Sequence, residues 1–238
     1  MLSKSQDFEI VPMFNQDDAI WSEFMKIEKA CDQKLGYNYT DYDEWRVLRG
    51  HEQDWKNKEH NFAFAVYHKT QMIGFVKGYY DSDALSDSAY LDSLYVLPEY
   101  HKIGIGKKLL NMAEKTSSMV AERIQLIPLS GAVNFYQHNG YGWEANEGTV
   151  AKYLSAVSDD VVPVFQWKKK SFRARFNVKV DSNLLKRNKY QPVFVHVNDV
   201  SKIDAVALRT KDGEHRFWIN PGQEFLRHEL SSALDNVR

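Results

Sequence analysis

The sequence predicts a mixed α/β fold in which a mostly antiparallel sheet is flanked by helices and is followed by a second, small β-rich domain. Three observations lead there. The runs NFAFAVY at 61–67 and MIGFVKGYY at 72–80 have strand composition and are separated by a short polar turn, which makes a hairpin and therefore antiparallel neighbours. Two successive strand–turn–helix units follow, and helices alternating with strands argue for a sheet covered by helices. Beyond residue 165, short strand-like runs recur up to a closing helical pattern.

Taken in order, FEIVPMF at 8–14 reads as a first strand. Asp17 and Asp18 then precede a helix carrying Trp21, Phe24, Met25 and Ile27 on its apolar side. Leu35 to Trp55 is rich in aromatics and acids without clean periodicity, as in a loop with short helical pieces. After the hairpin, AYLDSLYV at 89–96 is a third strand of this group. Pro98 and a glycine-containing turn from His101 to Gly106 lead into a helix with Ile105, Leu109, Met112 and Ala113 at helical spacing. IQLIPLS at 124–130 is a further strand. Ala132, Phe135 and Tyr136 fall at i, i+3 and i+4 on a helix that Gly140 ends. SAVSDDVVP at 155–163 reads as a linker between a domain over 1–157 and another over 164–238. The second would hold strands at 172–180, 193–197, 205–209 and 215–219 and a helix through Phe225, Leu226, Leu230 and Leu234.

Composition bounds the function. The 238 residues are 43% hydrophobic, enough for one substantial core and a smaller one, and no apolar run approaches the roughly 20 residues that cross a bilayer. The start, MLSKSQDFEIVPMF, is acidic where a secretory signal is apolar, so the expectation is a cytoplasmic protein without membrane association. Cys31 is the single cysteine, which excludes an internal disulfide and a thiolate metal cluster and reads as a buried or idle thiol. His51, His60 and His68 are too scattered to suggest a metal site, and no metal is expected. Charge is uneven along the chain: residues 1–165 hold 16 Lys or Arg against 24 Asp or Glu, a net of −8, and residues 166–238 hold 15 against 8, a net of +7. A basic unit of this kind meets nucleic acid, docks on the acidic body or faces a second copy in a homodimer; Lys168, Lys169, Lys170, Arg173 and Arg175 mark its entrance.

The turn with Gly104 and Gly106 between a strand and a helix can gather backbone N–H groups at the positive end of the helix dipole, where phosphate binds. Two common phosphate motifs fail here. Leu109 takes the place of the third glycine of the dinucleotide fingerprint, and Gly106-Lys107 is followed by Lys108 rather than the Ser or Thr of a P-loop. What remains, LDSLYVLPEYHKIGIGKKLLNMAEK at 91–115, resembles motif A of the GNAT acetyltransferases. The family turn is Arg or Gln, two residues, Gly, one residue, then Gly or Ala; here it is His101, Lys102, Ile103, Gly104, Ile105, Gly106, with His101 the departure. GAVNFYQHNGYGW at 131–143 resembles motif B of the same family, with Ala, then Phe-Tyr, then Gly before an aromatic.

The resemblance covers about residues 5–155. It implies a GNAT-type sheet and acetyl-CoA as co-substrate, its pyrophosphate on the 101–106 turn with Lys107 and Lys108 nearby. The pantetheine arm would lie along the main chain of Leu94, Tyr95 and Val96. It also implies that Tyr136 protonates the departing thiolate as general acid. A phenol, with an ordinary pKa near 10, stays protonated at neutral pH and can donate to a thiolate whose thiol titrates at roughly 8.5. His101 offers a donor whether neutral or charged and would make donor binding weaken as pH rises. Leu129 stands where many relatives hold pantetheine with Asn. Asp92 is the best-placed carboxylate for accepting the amine's proton, or a structural residue; alternation sets it on the face of Leu94 and Val96, and Tyr90 is the other strand residue of interest.

The implied reaction is direct attack of an amine on the thioester in a ternary complex. Tyr37, Tyr39, Asp41, Tyr42, Asp43, Glu44 and Trp45 lie where the family often builds the acceptor site. Acids and aromatic faces suit a cationic small molecule, a lysine side chain or a peptide amine. Two alternatives stay open: a GNAT-fold module that senses acyl-CoA without efficient turnover, and a nucleic-acid-binding adaptor led by the basic C-terminal unit.

Overall fold

A computed structural model describes residues 8–14, 18–36, 40, 61–80, 87–144, 148–155, 157, 159–165, 170–188 and 191–237. The first sheet begins with β1 (Phe8–Pro12), β2 (Asn61–His68), β3 (Gln71–Tyr80) and β4 (Ser88–Val96), and continues through β5 (Arg123–Leu126), β6 (Gly142–Trp143) and β7 (Val150–Tyr153). Its spatial order is β1-β2-β3-β4-β5-β7-β6, antiparallel throughout except for the β4–β5 pair. The predicted hairpin is present, closed by Lys69 and Thr70 with Lys69 at φ 59°.

Both faces of the central strands are covered, so β2 and β3 read as near-continuous apolar runs. On one face, α1 (Asp18–Lys34) buries Trp21, Phe24 and Ile27, with Phe24 stacked on Phe75 at 4.1 Å between ring centroids. On the other, α2 (Ile105–Ser117) buries Ile105, Leu109, Leu110 and Ala113. α3 (Val133–His138) follows a short 3-10 turn, and Gly140 (φ 88°) ends that unit. Close packing explains one glycine of β3. A Cβ on Gly78 would sit 2.2 Å from the Tyr90 carbonyl oxygen and 2.4 Å from Phe62 Cζ.

A second, four-stranded antiparallel sheet has the order β11-β10-β9-β8, formed by β8 (Asp160–Pro163), β9 (Val193–Val197), β10 (Ile203–Arg209) and β11 (His215–Ile219). One face packs on α6 (Leu226–Asp235) through Leu226, Leu230 and Leu234 at helical spacing, while Phe225 is exposed. The other face joins α4 (Lys170–Arg173), α5 (Ser182–Arg187) and the α2 side of the first sheet in one continuous hydrophobic cluster.

Three expectations are corrected here. The 155–163 linker contains β8, whose Val161, Val162 and Pro163 pair with β9. The 172–180 strand is instead the short helix α4 and a turn, coiled by the bonds from Ala174, Arg175 and Phe176 N–H to the carbonyls of Lys170, Phe172 and Arg173, with the Phe172 and Phe176 rings 5.0 Å apart and a single parallel bridge between Phe176 and Ile203. Asp181 then starts α5 by accepting from the N–H groups of Asn183 and Leu184. The 124–130 strand stops at Leu126, two residues before Pro128, which has no N–H to give a ladder.

The second sheet is fastened to the C-terminal end of α2. The buried Thr116 hydroxyl donates to Pro163 O at 2.6 Å, Lys115 pairs with Asp160, and Arg175 Nη1 donates to Ser118 O at 3.1 Å. No helix of the described residues is long and apolar enough to cross a membrane.

Candidate active site

The parallel β4–β5 ladder is short: Ser88, Ala89 and Tyr90 pair with Arg123, Ile124 and Gln125. From Leu91 to Val96, β4 continues with β3 on one side and no described strand on the other. The two strands therefore separate into a cleft with a backbone edge along it. Leu97 N–H donates to Ile73 O, and antiparallel bonding alternates, so the backbone groups of Val96 and Leu94 point away from β3 into the cleft. Tyr95, expected beside them, turns its backbone groups to β3 and its ring against Phe75.

At the mouth of the cleft the chain turns into α2. Lys102 (φ 64°) and Gly104 (φ 90°) both take left-handed conformations, and Gly104 is the N-cap residue. The first N–H groups of the helix, those of Ile105, Gly106 and Lys107, open toward the turn, where a helix has no intrahelical acceptors for them. His101, Lys102, Ile103, Gly104, Lys107 and Lys108 are exposed, while Ile105 is buried and anchors the turn. A Cβ on Gly106 would lie 3.6 Å from Phe135 and 3.8 Å from Leu94, so the turn, β4 and α3 converge at that point.

His101 is used differently from the expectation. Its Nε2 lies 2.7 Å from Val96 O and must donate to that carbonyl, which also accepts from Cys31 Sγ at 3.1 Å. A neutral ring then carries only an acceptor at Nδ1, so a second donor from His101 requires the imidazolium. Burial, with Asp32 next, pushes the Cys31 thiol up to about 12, leaving it a protonated packing group.

Tyr136 is buried at 6% exposure, with its ring against Phe135 at 5.1 Å and Tyr141 at 5.5 Å. No hydrogen bond from described residues engages its hydroxyl, and burial pushes that phenol up to about 12. Asp92 occupies a β-bulge: Leu91 opposes Gly78 and Ser93 opposes Lys77, which leaves Asp92 as the extra residue. The bulge breaks the alternation read from sequence. Asp92 pairs with the nearly buried Lys77 at 2.5 Å and accepts from Ser93 Oγ at 2.9 Å, on the Phe75 side of the sheet, whereas Leu94 and Val96 belong to the opposite core. Tyr90 stacks on Tyr79 at 5.0 Å between ring centroids. Lys77, a cation inside an apolar strand, is a sequence signal for its pairing with Asp92, whereas Glu114, Tyr141 and Lys152 meet beside Tyr136 only through the fold.

The acidic aromatic segment Tyr37, Tyr39, Asp41, Tyr42, Asp43, Glu44 and Trp45 lies outside the described residues, as do His51, His60, Lys168 and Lys169. His68 shares a hydrogen bond with the Tyr100 hydroxyl at 3.1 Å. Among the described residues no group of three or more His, Cys, Asp or Glu could hold a metal ion. Leu129 is half-exposed at the start of the 3-10 turn before α3.

Solved structures share this architecture. The PaiA N-acetyltransferase of Thermoplasma acidophilum, solved with coenzyme A, superposes with a TM-score of 0.50 at 20% identity over 62% of this chain and 99% of its own. A protein of Pyrococcus horikoshii gives 0.52 at 18% identity over 63% and 99%, and a GNAT-family acetyltransferase of Staphylococcus aureus gives 0.50 at 16% identity over 63% and 100%. At such identities the likeness concerns the fold. No curated protein matches the chain in sequence. The sequence model of the Acetyltransferase (GNAT) family matches residues 21–141, from the first helix to the aromatic that follows Gly140, which is half of the chain, and the chain belongs to that family.

Proposed function

We propose that this protein is an acetyl-CoA-dependent N-acetyltransferase that carries an acetyl group directly to a primary amine. The observation that carries the reading is the cleft: an open β4 edge leading to a turn with two left-handed residues at the start of α2. The residues fit the donor. Amide groups of an extended pantetheine arm can pair with the outward backbone groups of Leu94 and with the N–H of Val96, whose carbonyl holds His101 and Cys31, as an added strand would. A pyrophosphate suits the first N–H groups of α2, with Lys102 and Lys107 supplying charge.

In the proposed reaction the amine nitrogen attacks the thioester carbonyl, the carbon–sulfur bond breaks, and the amine gives up a proton. Tyr136 meets the sulfur. Burial raises the Tyr136 phenol to about 12 and would raise a thiol in the same surroundings too, so Tyr136 stays protonated at neutral pH and acts as the general acid, donating to the thiolate as it forms. Asp92 is the carboxylate proposed to take the amine's proton, directly or through water, with Lys77 holding it in place. The acceptor class we favour is a cationic small molecule or a lysine or peptide amine, supported by the acidic aromatic segment and by the Tyr79–Tyr90 stack beside Asp92. We assign residues 164–238 a docking or self-association role.

A second reading, an acyl-CoA sensor without efficient turnover, is favoured by one observation: His101 already occupies Val96 O at the edge where the donor would bind. Calorimetry with acetyl-CoA, run beside thiol release against a panel of amines, separates the two. Binding with amine-dependent release that Tyr136→Phe slows by about 10- to 100-fold supports the enzyme. Binding without release for every amine supports the sensor, and absence of binding refutes both.

A further inference from the structure

Three side chains that the proposed reaction does not use meet beside Tyr136, each from a different element. Glu114 comes from α2, Tyr141 from the segment after α3, and Lys152 from β7. The Tyr141 hydroxyl donates to Glu114 Oε1 at 3.1 Å, and Lys152 Nζ donates to Glu114 Oε2 at 2.7 Å. Lys152 Nζ also lies 5.8 Å above the Tyr141 ring, and its stem covers Gly140, 3.7 Å from where a Cβ would be. Tyr141 N–H donates to Tyr136 O at 3.1 Å, and the two rings meet edge to face at 68°. Glu114 and Tyr141 are almost withdrawn from solvent, at 14% side-chain and 3% residue exposure.

Withdrawing the Glu114 carboxylate from water is costly even beside the partly exposed Lys152, and an apolar side chain of similar size would fill its place at least as well. What the polar trio adds is direction. Tyr141 is fixed at its backbone and at its hydroxyl, so the ring packed against Tyr136 is held in place. Lys152 also cancels the charge of Glu114, which would otherwise oppose the negative charge growing on the leaving sulfur.

We propose that Glu114, Tyr141 and Lys152 form a clamp that positions the Tyr136 hydroxyl for the departing thiolate, and so govern turnover and not donor binding. The inference rests on the reading of Tyr136 given above. Transition-state hydrogen bonds are sensitive to placement, and misplacing a reacting group by about 1 Å can cost on the order of 100-fold. Tyr141→Phe keeps the ring and removes the tether, so kcat is expected to fall about tenfold with KM for acetyl-CoA within about twofold of the native value. Lys152→Met leaves Glu114 uncompensated and lowers kcat as well, from a side chain exposed enough for the fold to survive its loss. Glu114→Gln, which can still accept from Tyr141, retains more activity than Glu114→Ala.

The decisive experiment is a double-mutant cycle in the full chain, read as steady-state thiol release at saturating amine with melting temperatures alongside. If the clamp acts through Tyr136, adding Tyr141→Phe to Tyr136→Phe costs nothing further, although alone it costs about tenfold. Equal losses in both backgrounds, or a change confined to KM, would reduce the trio to ordinary packing and overturn the proposal. If the native protein releases thiol with an amine and Tyr136→Phe does so at the native rate, the role of Tyr136 falls and the clamp with it. A native protein with no amine-dependent release refutes the proposed function itself, and the clamp as well.

Discussion

The two glycines of the turn should respond to alanine with opposite signs. Gly104 sits at φ 90°, where a Cβ meets no atom within 4 Å yet the backbone conformation itself is unfavourable for an L-residue by about 1–2 kcal/mol. Stiffening the unfolded chain returns about 0.4–1 kcal/mol, so Gly104→Ala should destabilise the protein by about 1 kcal/mol. Gly106 lies in the first turn of α2 with an ordinary φ, and a methyl there would touch Phe135 and Leu94 at 3.6–3.8 Å, which is normal contact. Gly106→Ala should therefore stabilise by about 0.5 kcal/mol through helix propensity. In a chain of this size the two variants should melt about 3–6 °C apart, on either side of the native protein. Scanning calorimetry measures that gap. Acetyl-CoA titrations should then show Gly104→Ala binding weaker, because the N–H groups it orients are displaced, and Gly106→Ala binding close to the native protein. Equal destabilisation by both substitutions would refute the assignment of φ, rather than space, as the demand at Gly104.

Other outcomes follow from packing and titration. Gly78→Ala should cost 3 kcal/mol or more, since its Cβ would overlap the Tyr90 carbonyl and the Phe62 ring, and should lower soluble yield and melting temperature far more than either turn substitution. Burial raises the phenols of Tyr80, Tyr136 and Tyr141, so their contribution to stability is complete below their unfolded pKa near 10 and is lost as pH rises beyond it. Tyr136 alone accounts for about 3 kcal/mol between pH 10 and 12, and urea midpoints that stay flat from pH 9 to 11 would contradict this burial. A chain truncated after residue 157 should lose cooperative thermal unfolding, because it strips β8, Phe165 and Phe172 from the core shared with α2. A sharp transition near the native temperature would show instead that residues 1–157 fold independently.

Much of this architecture could be read from local patterns. The β2–β3 hairpin, β4, α2 and the strands at 193–197 and 215–219 fall where strand composition, turn residues and helical spacing put them, since local pattern and remote pairing agree there. Elsewhere the deciding contacts are remote. Val161 and Val162 belong to a strand only because β9 lies alongside, and nothing in SAVSDDVVP marks that pairing. The run FRARF from 172 to 176 alternates as a strand would, and only the coiling of the chain at its start, with Phe172 packed on Phe176, shows otherwise. Asp92 shows the same limit at the site. Strict alternation put it with Leu94 and Val96, and one extra residue in β4 moved it to the other face, onto Lys77. His101 was legible as the departure from the family turn, but not its bond to Val96 O, which depends on how the chain folds back on the end of β4.

The contacts of α2 with both sheets have a consequence for how the protein opens. A helix of 13 residues spans about 20 Å, and this one carries the turn at its start and the Thr116, Lys115 and Ser118 attachments at its end. Neither sheet can swing away without uncovering it, so its central amides can reach solvent only when both let go together. In deuterated water the amides of Leu109 to Ala113 should consequently be among the slowest in the molecule to exchange, at the rate of global unfolding. Those of Lys69 and Thr70, at the surface hairpin, should exchange by local opening, orders of magnitude sooner.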